Sequence, residues 1–373
     1  MDANTGMTKN LTDLIDNYLA SGYPPGAAVA AYHGEHEPFQ LTIGRGLANK
    51  ESALKAGPEV IFELGSVTKV FTATLLALQP SILNDPLSKH LPVTVNNSNL
   101  TDVTLQQLAT HTSGFPRDVP KKIKGPGQDG AVYLFRDQAP LPNSALVKFW
   151  NSWAPTNRPN YCSPCKVGTC WQYSNVGFVT LGYAAAGEQY NAQLAANITG
   201  PQQLNMSSTA AQIPPTAPKA QGYHKNGTAA TKEAEDLKSN ANDMLIWIKA
   251  QLGVGSVPQA LASAIALTQK TYFTSKQQCA QSKHPINFNM GLAWQIHPLP
   301  GTKIILFIKD GASGLGGQSC WVGFVPERKA GVAVLTNGVG AKPAPAALGL
   351  QILDTLLGLP LSLQHAVGHK GGA

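Results

Sequence analysis

"FELGSVTKVFTATLLAL", residues 62–78, sets a serine and a lysine three positions apart inside an otherwise apolar run. On a helix Ser66 and Lys69 share one face, and the apolar positions that follow are free to bury that helix in a core. A serine hydroxyl is a poor nucleophile until a base removes its proton. A lysine can do so only when burial or neighbouring cations lower its own pKa. The start of a helix adds backbone N–H groups and a positive dipole end beside the serine. Taken alone, S-x-x-K has a plain alternative reading as a capping serine and a solvated lysine.

Working outward, residues 10–21 carry Leu, Ile and Tyr at helical spacing behind an Asn or Thr cap. "GAAVAAYHG" and "FQLTIGRGLA" read as two strands of a hairpin separated by a polar turn. From about 80 to 285 the texture changes to helical segments broken by Pro and Gly, among them "TLQQLATHTSG", "NSALVKFWNSW", "SNVGFVTLGYAAAG" and "SNANDMLIWIKAQL". Residues 116–143 form a long Pro-, Gly- and Lys-rich connection of the kind that walls a functional cleft. After 286 strand texture returns in "GLAWQIHPL", "TKIILFIKDG", "CWVGFVPE" and "AGVAVLTN", and the helix "PAALGLQILDTLLG" follows. The expected fold class is α/β (α+β): an antiparallel sheet built from both ends of the chain, flanked by terminal helices, with an all-helical domain inserted. The expected boundaries are 1–80 plus 286–373 for the α/β domain and 81–285 for the helical one, with the active site in the cleft between them.

The 373 residues, 43% hydrophobic, have the composition of a globular protein, and the longest apolar stretches fall far short of the roughly 20 residues that cross a bilayer. The formal charge of +7 comes from scattered Lys and Arg. Its densest cluster, "RDVPKKIKG", lacks the length and interleaved aromatics of a nucleic-acid patch, so no nucleic-acid partner is expected. "MDANTGMTKN" has neither the basic nor the apolar region of a signal peptide. Five cysteines, three of them crowded at 162, 165 and 170, favour an exported protein whose leader is absent from this chain, periplasmic or secreted. A monomer is expected. The six N-x-S/T sites matter only in a eukaryotic secretory pathway.

Two further elements give Ser66 and Lys69 company. "CWQYSNVGFVTLGYA" places Tyr173, Ser174 and Asn175 at the mouth of a second helix, and "FIKDGASGLGG" places Lys309 at the end of a strand that runs into a glycine-rich turn. In this order the three elements resemble the signatures of serine β-lactamases and penicillin-binding proteins. The resemblance is strongest to class C β-lactamases and the related DD-peptidases and esterases, whose second element is Y-x-N. It extends over most of the chain through "PPGAAVAAYHG", "LQQLATHTSG", "SNANDMLIWI" and "VGFVPERKAGVAVLTN".

The resemblance implies an acyl-enzyme on Ser66, with Lys69 and Tyr173 sharing general-base and general-acid work and Lys309 among the cations that tune them. It implies an oxyanion hole made by the backbone N–H groups of Ser66 and Ala312. Asn175 would bind a substrate's acylamide side chain, and Asn337 would lie near the substrate carboxylate. Gly311, with the glycines after it, would allow a substrate strand to approach the backbone closely. The substrate would be a small β-lactam or a peptidoglycan peptide, and no metal or organic cofactor is required. An esterase of the same fold and a penicillin sensor without turnover remain alternatives.

The chain departs from the pattern in two places. The third element reads Lys309-Asp310-Gly311 rather than Lys-Thr-Gly, and an ionised Asp310 would repel a substrate carboxylate. The insertion "YCSPCKVGTC" carries a C-x-x-C without a fourth metal ligand or a thioredoxin-like context, so a structural disulfide is expected, either Cys162–Cys170 or Cys165–Cys170, with Cys279–Cys320 a further option. His111 reads as a structural histidine at a helix end. The family's substrate-side glutamine falls near Asp118.

Overall fold

In this computed structural model the described residues are 3–35, 38–120, 144–155, 166–187, 189–234, 236–278, 286–359, 363 and 367. In chain order the strands are β1 (Gly26–His33), β2 (Phe39–Asn49), β3 (Leu54–Lys55), β4 (Phe62–Glu63), β5 (Lys238–Ser239), β6 (Asn289–Met290), β7 (Gln295–Pro298), β8 (Ile305–Ser313), β9 (Gln318–Val325) and β10 (Ala330–Thr336). The helices are α1 (Ala3–Leu19), α2 (Thr68–Ala77), α3 (Leu105–Ala109), α4 (Ser144–Ser152), α5 (Asn175–Ala186), α6 (Tyr190–Leu194), α7 (Ala241–Gln251), α8 (Gln259–Thr268) and α9 (Pro345–Leu357).

The chain divides into two compact units, Met1–Thr68 with Thr199–Pro258 and His297–Ala373, and Lys69–Ile198 with Gln259–Ile296. In the first, antiparallel strands run in the order β3-β2-β1-β10-β9-β8. The expected hairpin forms, pairing Gly26 with Gly46 and His33 with Phe39. β1 then pairs along its other side with β10, from Ala27–Thr336 to His33–Ala330. Almost every residue of β1 is buried, which explains its unbroken apolar run: both faces of the sheet are covered.

One face packs α1 and α9 through Leu11, Ile15, Leu350 and Leu353 onto Val29, Val332 and Trp321. Each such side chain contributes about 1.5–3 kcal/mol relative to exposure. Gly349 of α9 lies flat on the Trp321 ring, where any side chain would collide. α9 begins with Pro345 and ends at Gly358 in the left-handed region (φ 64°), as such helices commonly do. α7 covers the other face, with Ile248 against Gly331.

Residues 199–258 therefore belong with the sheet, whereas the sequence grouped them with the helices. Short links make the difference: β4 pairs with β5, Ile61 bridges Lys219, and Tyr223 bridges Gly338.

The second unit is helical, with the short β6–β7 pairing of Asn289 with Ile296 and Met290 with Gln295. α3 opens on a reciprocal cap, Thr104 N–H donating to Gln107 Oε1 (2.9 Å) and Gln107 N–H to Thr104 Oγ1 (3.2 Å). α5 is buried from Val176 through Tyr183. It takes the Trp150 indole N–H of α4 on Thr180 Oγ1 at 2.9 Å. Among the described residues no helix is long and apolar enough to cross a membrane.

Candidate active site

Ser66 sits where β4 turns into α2, in a 3₁₀ turn Gly65–Val67, and is half-buried. Leu64 N–H donates to Leu237 O (2.8 Å) and Leu237 N–H to Thr68 Oγ1 (3.1 Å), so the turn is pinned at both ends. Gly65 adopts φ +48°, and a Cβ there would lie 2.6 Å from Ala312 N. Only glycine lets the Ser66 turn lie this close to the backbone of β8.

The next contact changes the meaning of Gly311. Its missing side chain makes room for Leu64 O and Cys320 Sγ, so the close backbone approach it serves is internal rather than to a substrate strand. The Cys320 thiol donates to Leu64 O at 2.9 Å. Burial, and then the negative charge of Asp310, push that thiol's pKa well up. Cys320 and Cys170 are both buried free thiols, so none of the three expected disulfide options is formed in this structure; Cys162, Cys165 and Cys279 lie outside the described residues. Lys309 is 3% exposed and pairs with Val322 of β9, while Asp310, half-buried, pairs with Trp321. Ala312 is exposed.

Asn337 is not brought to this surface. It is fully buried, its Oδ1 accepting from Gly26 N–H (2.8 Å) and its Nδ2 donating to Leu47 O (2.9 Å) and Ala48 O (3.0 Å). These bonds lock the end of β10 to β1 and β2 and leave the amide no geometry for a substrate.

In the second unit, Lys69 on α2 places Nζ 5.2 Å from the centre of the Tyr173 ring and 5.9 Å from that of Phe178. Arg117 brings a second cation to 5.3 Å from the Tyr173 ring. Such contacts over an aromatic ring are worth about 0.5–2 kcal/mol each.

Tyr173 is fixed by its neighbours along the chain. Gln172 N–H donates to His111 O (2.7 Å), Ser174 N–H to His111 Nδ1 (3.0 Å), and Asn175 N–H to Arg117 O (2.7 Å). Ser174 caps α5, its hydroxyl donating to Pro116 O (2.6 Å) and accepting from Gly177 N–H (2.8 Å).

Two of these bonds end on His111. It is 1% exposed, takes a left-handed φ of 60°, and stacks its ring 4.4 Å from that of Tyr173. Because Nδ1 accepts a backbone N–H, the neutral ring carries its proton on Nε2. Asn175 donates through Nδ2 to Asp118 Oδ1 at 3.0 Å, which turns its own carbonyl oxygen the other way.

Three residues, one beside Tyr173 and two beside the Ser66 turn, escaped sequence reasoning. Arg117 read as part of a basic cluster, Cys320 as a disulfide candidate, and Glu63 was not singled out at all. Glu63 is 4% exposed, and burial raises its pKa above the ordinary carboxylate range. The readable signal was a glutamate between two core residues, Phe62 and Leu64, three positions before the serine. Among the described residues no group of three or more His, Cys, Asp or Glu side chains could hold a metal ion.

The Beta-lactamase family model matches residues 11–357. A beta-lactamase of Escherichia coli strain K12 is 27% identical, with 93% of this chain and 92% of that protein covered. One of Lysobacter lactamgenus is 28% identical, with 89% and 91% covered. Among solved structures, a class C beta-lactamase superposes with a TM-score of 0.76 at 21% identity, covering 96% of this chain and 97% of the other. A beta-lactamase/D-alanine carboxypeptidase from Pseudomonas syringae gives 0.74 at 19%, covering 95% and 99%. At these identities the structures speak for the fold, while the family match spans the whole region that carries Ser66, Lys69, Tyr173 and Lys309. The chain belongs to the beta-lactamase family and is a serine hydrolase of the beta-lactamase fold.

Proposed function

We propose that the chain hydrolyses a β-lactam or a peptidoglycan-type amide through an acyl-enzyme on Ser66, as a class C-type β-lactamase or DD-peptidase. The observation that carries this reading is the contact of Lys69 Nζ with the Tyr173 ring, with Lys69 one helical turn after Ser66. Lys69 and Tyr173 relay the proton that leaves Ser66 as its oxygen attacks the carbonyl, then return one to the leaving nitrogen. The N–H groups of Ser66 and Ala312 receive the developing oxyanion; removing one such donor typically costs about 10²–10³ in rate. The Asn175 carbonyl, turned away from Asp118, accepts from the substrate's acylamide N–H. Lys309, with its positive charge, stabilises the anionic intermediates. An exported location, periplasmic or secreted, follows from these substrates.

A second reading, an esterase on the same scaffold, is favoured by Asp310, whose charge beside Lys309 disfavours substrates that carry a carboxylate. The test is intact-protein mass spectrometry after mixing with a penicillin, sampled from seconds to hours. A Ser66 adduct that decays fast identifies a β-lactamase, and one that persists a peptidase or a sensor. No adduct, with p-nitrophenyl esters hydrolysed, would give the esterase reading the site.

A further inference from the structure

Glu63 is costly where it stands. Its neighbours Phe62 and Leu64 are buried apolar residues, and its own side chain is 4% exposed. An apolar residue in that strand would avoid the desolvation that a carboxyl pays. Its contacts give the placement a purpose. Oε1 accepts from Ala234 N–H at 2.8 Å, and the Ser313 side chain hydrogen-bonds the carboxyl from β8. Ser313 Oγ in turn accepts from Gly316 N–H at 2.9 Å, closing the turn between β8 and β9.

Gly316 lies directly on the Glu63 carboxyl, where a side chain would collide with it, and its carbonyl fills the space that Gly222 leaves. Gly317 O accepts from Tyr223 N–H at 2.9 Å, and Glu63's own N–H donates to Gln318 Oε1 at 3.0 Å. The strand entering the nucleophile turn and the turn following Ala312 are thus joined through one carboxyl group. Burial raises its pKa, against the Ser313 and Ala234 hydrogen bonds and the charge of Lys238, which lower it, while the charge of Asp236 adds to the rise.

We propose that Glu63 is a positioning residue for acyl transfer: it ties the 313–317 turn to the strand leading into Ser66 and so holds Ala312 against Gly65. This rests on the acyl-enzyme reading above. It assigns Glu63 no contact with substrate. Its action is on the spacing of two backbone N–H groups, for which small displacements are expensive.

The experiment compares Glu63→Ala and Glu63→Gln with the parent protein by steady-state hydrolysis of a p-nitrophenyl ester and by hydrogen exchange of the 309–317 peptide. Glu63→Ala should lower kcat by about 10–100-fold with KM within about threefold, and speed exchange in 309–317 while 320–336 stays protected. Glu63→Gln, which keeps the shape and hydrogen-bonding reach, should recover kcat to within about threefold. Should Glu63→Ala not fold, Ser313→Ala cuts the same tie from the other end and carries the same expectation for exchange. Parental kcat and parental exchange in the folded variants would overturn the proposal. So would exchange that rises evenly across the whole sheet, which is the mark of a merely structural residue. If the parent protein hydrolyses nothing and takes no adduct, the hydrolase reading falls. The exchange result still decides the tie, supporting it if confined to 309–317 and refuting it if unchanged.

Discussion

The candidate residues of the two units are held by different means, and each unit supplies one half of the set. Around Ser66 the parts are backbone: Gly65 against Ala312, Gly311 against Leu64, and a thiol and a carboxyl holding main-chain groups in place. Around Tyr173 the parts are side chains: two cations and the ring of His111 gathered on one phenol, with Phe178 beside Lys69 and His111. The first half tolerates no added atom, because what it would displace is main chain. The second draws its precision from hydrogen bonds that fix residues 172, 174 and 175 to the 111–117 segment, including a histidine held at a left-handed φ that costs about 1–2 kcal/mol. Substitutions in the backbone half should therefore damage stability and activity together. Those in the side-chain half should separate them.

The largest expected effect is that of Ser66→Ala, which should lower turnover by about 10⁵–10⁶-fold and abolish covalent labelling, with Tm nearly unchanged. Persistent labelling of that variant would mean the nucleophile lies elsewhere. Next comes the pair that tests the contrast itself. Tyr173→Phe should cost about 10²–10⁴ in kcat with little change in Tm. Gly65→Ala should cost about 10²–10³ in kcat and lower stability by about 1–3 kcal/mol as well. Equal thermal losses in the two variants would erase the distinction.

A smaller effect is expected at Asp310. Asp310→Thr should raise kcat/KM for penicillins by about tenfold by removing a like charge from the carboxylate's neighbourhood. An unchanged or lower value would free Asp310 of that role.

The smallest effect is in pH. Glu63 has a pKa raised in the folded state, so its contribution to stability is complete below the unfolded value of about 4.3 and is lost as pH rises through the folded one. Tm should accordingly decline over that interval, and Glu63→Gln should flatten the decline. A parallel curve for the variant would show that another group sets it.

Much of this was legible in the sequence, for definite reasons. The β1–β2 hairpin, the β8–β10 strands and α9 have long, regular apolar patterns, Ser66 and Tyr173 stand just before helices, and Lys69 lies in the first turn of one. What escaped lacked such a pattern. Residues 199–258 join the sheet unit through two-residue strands and single bridges, too short to register as periodicity. Asn337 follows a strand as a binding residue would, and only its three hydrogen bonds reveal that it fastens the sheet. Glu63 looks like any charge until its burial is known.

The pairing of β1 with β10 bears on how the protein is made. Ala27 must meet Thr336, so a ribosome delivers the first of these strands long before its partner exists. β1 can close its hairpin with β2 early, yet its other side stays an open ladder while some three hundred residues are still to come. The nascent chain thus carries an apolar edge ready to pair with a neighbouring chain through most of synthesis. Anything that ends translation before residue 330 leaves that edge exposed for good, which makes truncated products a source of aggregates rather than of partial activity.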